Sequence, residues 1–110
     1  MTESKTLQRL KNGHLLFSSG PKEKNGGVAI LINKKLSQKV VDLEAISERV
    51  VSAKIKLHKH VSLKVSQAYA PTSLSSQEEI QTFYEDLNKV TTSSSTINII
   101  LGDFNAFFYL

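Results

Sequence analysis

Ala68-Tyr69-Ala70-Pro71-Thr72 and, further along, Ile97-Asn98-Ile99-Ile100-Leu101-Gly102-Asp103-Phe104-Asn105-Ala106 decide how this chain is read. Each is an apolar or alternating run that delivers polar side chains at its carboxyl end. Between them, Ser75-Ser76-Gln77-Glu78-Glu79 has the form of a helix start. Ser75 with Glu78, or Ser76 with Glu79, makes a capping box, and the acids suit the positive end of the helix dipole. Ile80, Phe83, Tyr84, Leu87 and Val90 follow at helical spacing and predict one apolar face. The whole is a strand–helix–strand unit of the length a parallel crossover needs. In a parallel pair both strands end at the same sheet edge, where ligands of open α/β sheets collect. Tyr69 and Asp103, 34 residues apart, are therefore expected to meet.

The chemistry such an edge offers follows from the residue types. In extended backbone Asp103 and Asn105 point to one side and Phe104 to the other. For phosphodiester hydrolysis, a carboxylate such as Asp103 aligns or deprotonates the attacking water. The Asn105 amide and the Tyr69 hydroxyl then donate to the charge gathering on phosphoryl oxygens. The same residues also fit a structural reading, with Asp and Asn beside glycine forming an Asx turn and Tyr69 half-buried at a strand end.

Working outward, Val51, Ala53, Ile55 and Leu57 alternate with Ser52, Lys54, Lys56 and His58. Val61, Leu63 and Val65 then alternate with Ser62, Lys64 and Ser66, which predicts a β-hairpin turning near Lys59. Pro71 stops the second strand. Upstream, residues 39–46 form a strand with Val41, Leu43 and Ala45 on one face. The run Gly26-Gly27-Val28-Ala29-Ile30-Leu31-Ile32 predicts a strand covered on both faces, its glycines marking a bulge or close backbone approach. His14 to Ser18 is a short strand, and Gly20 to Asn25 a polar loop. Residues 1–12 are expected to be a mobile lead-in, since Leu7 and Leu10 are too sparse to define an element. The expected division is 1–12 lead-in, 13–106 domain and 107–110 tail.

A chain of 110 residues bounds the molecule to one domain at most. With no cysteine, there is no disulfide partner and no thiolate metal cluster. No apolar run approaches bilayer length and the N-terminus has no secretory pattern, so an intracellular place, nucleus or cytoplasm, is expected. Net charge is +4, unevenly spread: residues 1–64 balance to +8 and residues 65–110 to −4. A basic half beside an acidic edge suits a polyanion, whereas lysines on solvated strand faces account for the same balance.

Other residues fit the same role less well. His58 and His60 flank the hairpin turn without a third metal ligand in view. Glu48-Arg49 reads as an ion pair orienting a loop or as a phosphate contact. Lys34-Lys35 reads as a solvated turn or a backbone contact to nucleic acid. There is no phosphate-cradling glycine loop, dinucleotide fingerprint or nucleophilic Ser or Cys site.

Tyr69-Ala70-Pro71-Thr72, the helix after it, and Ile99-Ile100-Leu101-Gly102-Asp103-Phe104-Asn105-Ala106 resemble the endonuclease/exonuclease/phosphatase superfamily. The likeness is in particular to the endonuclease domain of non-LTR (LINE-type) retrotransposons. Gly26-Gly27-Val28-Ala29-Ile30-Leu31 and Ser47-Glu48-Arg49-Val50 fit the same pattern in the same order, so the likeness runs from about Leu15 to Ala106. The resemblance implies part of a two-sheet α/β sandwich of the DNase I type and a Mg²⁺-dependent phosphodiesterase with DNA as substrate class. It implies catalytic roles for Tyr69, Asp103 and Asn105 and a phosphate contact by Thr72, which Arg49 joins as a candidate phosphate contact on the reading of Glu48-Arg49. The family's metal-binding Glu lies on strands before this sequence and its Asp-His pair on strands after it. Two readings follow. One is the central part of a DNA endonuclease. The other is a non-enzymatic, retrotransposon-derived remnant that binds nucleic acid through its basic half or a partner through exposed strand edges, edges that would also permit self-association.

Overall fold

Two β-sheets and one long helix stack as three layers in the computed structural model, which describes residues 5–20, 27–71, 75–91 and 97–103. The first sheet contains β1 (Lys5–Arg9), β2 (Leu15–Ser19) and β3 (Val28–Ile32), all antiparallel in that order. A single helical turn, α1 (Lys34–Ser37), leads to the second sheet, and the Asn33 side chain caps it by accepting from the Lys35 N–H. The second sheet runs β4 (Val40–Ser47), β5 (Val50–His58), β6 (Val61–Tyr69) and β7 (Ile97–Asp103), with α2 (Gln77–Thr91) between the last two.

The predicted hairpin and crossover are both present. β5 and β6 pair antiparallel, while β6 and β7 pair parallel. Alternation along β5 explains the layering. Val51 and Ala53 are buried against the first sheet, beside Phe17, Val28, Leu15 and Ile32, and Ile55 is buried on the same face by alternation. Val50 points the other way, into a cluster with Ala68, Ala70, Phe83 and Val90 under α2. Away from their turn, β5 and β6 are thus covered on both faces. Ser52 and Ser66, expected to face solvent, are buried directly opposite each other and joined by a 3.2 Å hydroxyl–hydroxyl hydrogen bond. Small hydroxyl residues leave room for a helix to approach, and their mutual bond removes the cost of burying them.

The helix starts as the capping box predicts, and the Ser76–Glu79 alternative is the one formed. The Glu79 N–H donates to Ser76 Oγ at 3.2 Å, and the Ser76 hydroxyl donates to Glu79 Oε1 at 3.4 Å. Its buried face is Phe83, Asp86 and Val90, with Leu87 partly buried. Tyr84, expected in the apolar face, is 61% exposed. The i, i+3, i+7 line through Phe83, Asp86 and Val90 sets the contact stripe and leaves Tyr84 on its flank.

Three further expectations are corrected. Lys5–Arg9 is not part of a lead-in but forms β1, in register with Ser19 to Leu15. Only Thr6 in it is even partly buried, so the strand is held by main-chain pairing and carries no hydrophobic alternation to reveal it. Val28–Ile32 is covered on one face only, because Ala29 and Leu31 are exposed. Its glycine does mark a close approach: Gly27 has φ +93°, and a Cβ there would meet the Ser19 carbonyl oxygen. In β4, Val41 is exposed, because register shifts at Val40/Asp42 and Ala45/Ser47 turn Val40, Leu43 and Ala45 toward the first sheet and Ile46 toward α2.

Gly102 lies opposite Ala68, and a Cβ on it would stand 1.9 Å from the Ala68 carbonyl oxygen. Only glycine lets β7 run this close to β6 in this conformation. Gly102→Ala is therefore expected to lower stability by about 1–3 kcal/mol, read as a reduced urea midpoint with the unfolding slope retained. An unchanged midpoint would show that the two strands separate here without cost.

Candidate functional site

The carboxyl ends of β6 and β7 bring the predicted pair together. Tyr69 is the register partner of Asp103, as the parallel crossover requires. Adjacent strands lie about 4.8 Å apart, so these two positions share one stretch of sheet edge. Thr72 and Asn105 lie outside the described residues.

Arg49 joins them from the turn between β4 and β5. The Tyr69 N–H donates to the Arg49 carbonyl at 2.8 Å, and Arg49 Nη1 donates to the Tyr69 carbonyl at 3.4 Å. The guanidinium carbon stands 5.6 Å from the centre of the Tyr69 ring, within cation–π range. Arg49 Nη2 reaches Glu79 Oε2 at 3.5 Å. The turn itself is secured by Ser47, whose hydroxyl accepts from the Arg49 N–H at 3.1 Å.

Glu79 is the residue that sequence reasoning missed at this site. It closes the capping box and also holds Arg49, tying the first turn of α2 to the end of β6. The ion-pair reading of Arg49 applies, but with Glu79 as its partner in place of the neighbouring Glu48. Adjacent residues in a turn diverge, whereas the crossover returns the helix start to the strand end it left. The chain signal was available: the capping-box carboxylate sits ten residues after Tyr69.

The edge has the electrostatics of a half-open site. Tyr69 is 37% exposed, and the Arg49 and Glu79 side chains are 25% and 53% exposed. An ion pair this wet stabilises by only about 0.2–1 kcal/mol, so its consequence is orientation. Arg49 holds the Tyr69 ring and main chain in place and still presents a guanidinium at the edge, able to meet an anion bidentately.

The remaining candidates lie elsewhere. His58 and His60 are exposed at the β5–β6 turn, at the opposite end of the sheet. Lys34 and Lys35 start α1, where the Lys34 N–H donates to His14 Nδ1 at 2.9 Å. Lys54 and Lys64 stand opposite each other across the hairpin, also toward its turn. Among the described residues, no group of three or more His, Cys, Asp or Glu is placed to hold a metal ion, and no helix is long and apolar enough to cross a membrane.

Similarity to known proteins is confined to sequence. Craniofacial development protein 2 of Bos taurus is 30% identical over 96 residues, which cover 84% of this chain and 16% of that protein. Craniofacial development protein 2 of Tragulus javanicus is 29% identical over 96 residues, covering 84% of this chain and 17% of that protein. The chain thus spans about a sixth of the length of the curated relatives it matches. No family model matches the chain, and no solved structure matches it.

Proposed function

We propose that this chain is the central portion of a DNase I-like domain of the endonuclease/exonuclease/phosphatase type, and that its β6–β7 edge acts on phosphodiesters, with DNA as the substrate class. The observation that carries the reading is the register pairing of Tyr69 with Asp103 at the carboxyl edge of two parallel strands. The motif resemblance from Leu15 to Ala106 supports the same assignment. In this reading Asp103 aligns the attacking water and takes its proton. Tyr69, held by Arg49, donates its hydroxyl to a phosphoryl oxygen, and the Asn105 amide donates to another. Arg49 and Thr72 contact the flanking phosphate.

Magnesium is expected for the complete family domain, where it would offset charge on the transferring phosphoryl group. The described residues do not form a ligand set for it. Its place in this reading belongs to the Glu and Asp-His segments that the resemblance implies outside this sequence, and no step above runs through it.

A second reading is nucleic-acid binding without hydrolysis. It is favoured by Lys54 and Lys64, which face each other across β5 and β6 with Lys56 following on the same strand. Like charges directly opposite in a sheet repel, and a phosphate backbone relieves that repulsion.

Plasmid nicking in Mg²⁺ tests the first reading against Asp103→Ala, which is expected to lose about 10²–10⁴-fold if the edge is catalytic. Parent and variant equally silent would remove hydrolysis from this chain. Binding to a short duplex, followed by fluorescence anisotropy between 50 and 200 mM salt, tests the second. Lys54→Glu with Lys64→Glu is expected to weaken binding and flatten its salt dependence. An unchanged affinity would exclude the hairpin from contact with the backbone.

A further inference from the structure

Each polar atom of Glu79 has a separate task. Its N–H donates to Ser76 Oγ at 3.2 Å, and its Oε1 accepts from the Ser76 hydroxyl at 3.4 Å. Its Oε2 stands 3.5 Å from Arg49 Nη2. An exposed glutamate ordinarily samples many rotamers. Here the capping box holds the side chain, and it holds it with one oxygen aimed at Arg49.

Arg49 is in turn held by two elements. Nη1 donates to the Tyr69 carbonyl, and the guanidinium carbon lies 5.6 Å from the centre of the Tyr69 ring. Both contacts come from one residue of β6, so by themselves they leave the guanidinium able to turn about that strand end. The Glu79 contact comes from α2, on the far side of the crossover, and fixes the orientation. A guanidinium oriented before a ligand arrives spares the ligand the cost of ordering it. Plain electrostatics gives Glu79 the opposite effect, because an acid beside this guanidinium repels a polyanion. The two effects differ in sign and can therefore be told apart.

We propose that Glu79 is a positioning residue for Arg49, and that its capped carboxylate raises the affinity of this edge for a phosphodiester although its charge alone would lower it. The proposal rests on the reading of the β6–β7 edge as a phosphodiester site, and adds the start of α2 as the element that sets the Arg49 contact. Glu79 acts through Arg49 and need not touch the phosphate. Its contribution is bounded by the ion pair that delivers it, which at this exposure amounts to about two- to fivefold in affinity.

Binding of the full chain to a short DNA duplex at low salt, followed by fluorescence anisotropy, tests this, with circular dichroism to show that each variant is folded. Arg49→Ala is expected to weaken binding about tenfold. Glu79→Ala is expected to weaken it about two- to fivefold, where loss of an acid would otherwise tighten it. Glu79→Asp keeps the charge and suits the helix start but stands one methylene short of Arg49, and is expected to weaken binding about as much. Glu79→Gln keeps the capping box and an acceptor for Arg49, and is expected to recover most of the loss. In an Arg49→Ala chain, Glu79→Ala is expected to weaken binding no further. Should Glu79→Ala fail to fold, the Asp and Gln variants carry the same comparison. Unchanged or tighter binding by Glu79→Ala or Glu79→Asp overturns the proposal and leaves the Arg49 contact standing. So does a weakening that persists without Arg49, which makes Glu79 a capping residue alone. A parent that does not bind the duplex, or an Arg49→Ala variant that binds as tightly as the parent, removes the phosphate contact itself and with it the reading on which the proposal rests.

Discussion

The parallel pairing of β6 with β7 is the constraint on which the rest of the structure depends. Parallel neighbours cannot be joined by a tight turn, so the chain needs a long connection, and a helix is the compact one. That helix must bury its apolar stripe, and the face of the sheet it crosses is the surface available. The demand passes to β5 and β6, which need one face for the first sheet and another for α2. Val51, Ala53 and Ile55 meet the first demand; Val50, Ser52, Ser66 and Ala68 meet the second. The small side chains under α2 are therefore a consequence of the topology. The same pairing sets Tyr69 beside Asp103 without any contact between their side chains being needed to bring them there.

Arg49 links this architecture to the candidate site. One guanidinium touches the Tyr69 carbonyl, lies against its ring and pairs with Glu79. None of these interactions is worth much in stability at such exposure. Together they restrict how the β4–β5 turn, the end of β6 and the start of α2 move relative to one another. The guanidinium that does this remains one-quarter exposed at the sheet edge.

The sequence made the second sheet legible because its signals were local and mutually consistent. Clean alternation marked β5 and β6, a capping box marked the start of α2, and an apolar run ending in glycine marked β7. The convergence of Tyr69 and Asp103 followed from the crossover alone. What escaped was whatever depended on a neighbour far along the chain. β1 has no hydrophobic alternation because it is almost wholly exposed and held by main-chain bonds to β2. Ser52 and Ser66 look like solvent-facing residues until α2 is laid over them. Asp86 takes the place that the apolar pattern assigns to Tyr84, because a carboxylate is an unexpected member of a buried stripe. It is buried with its charge 3.7 Å from Lys89, one helical turn on, whose ammonium stays in solvent.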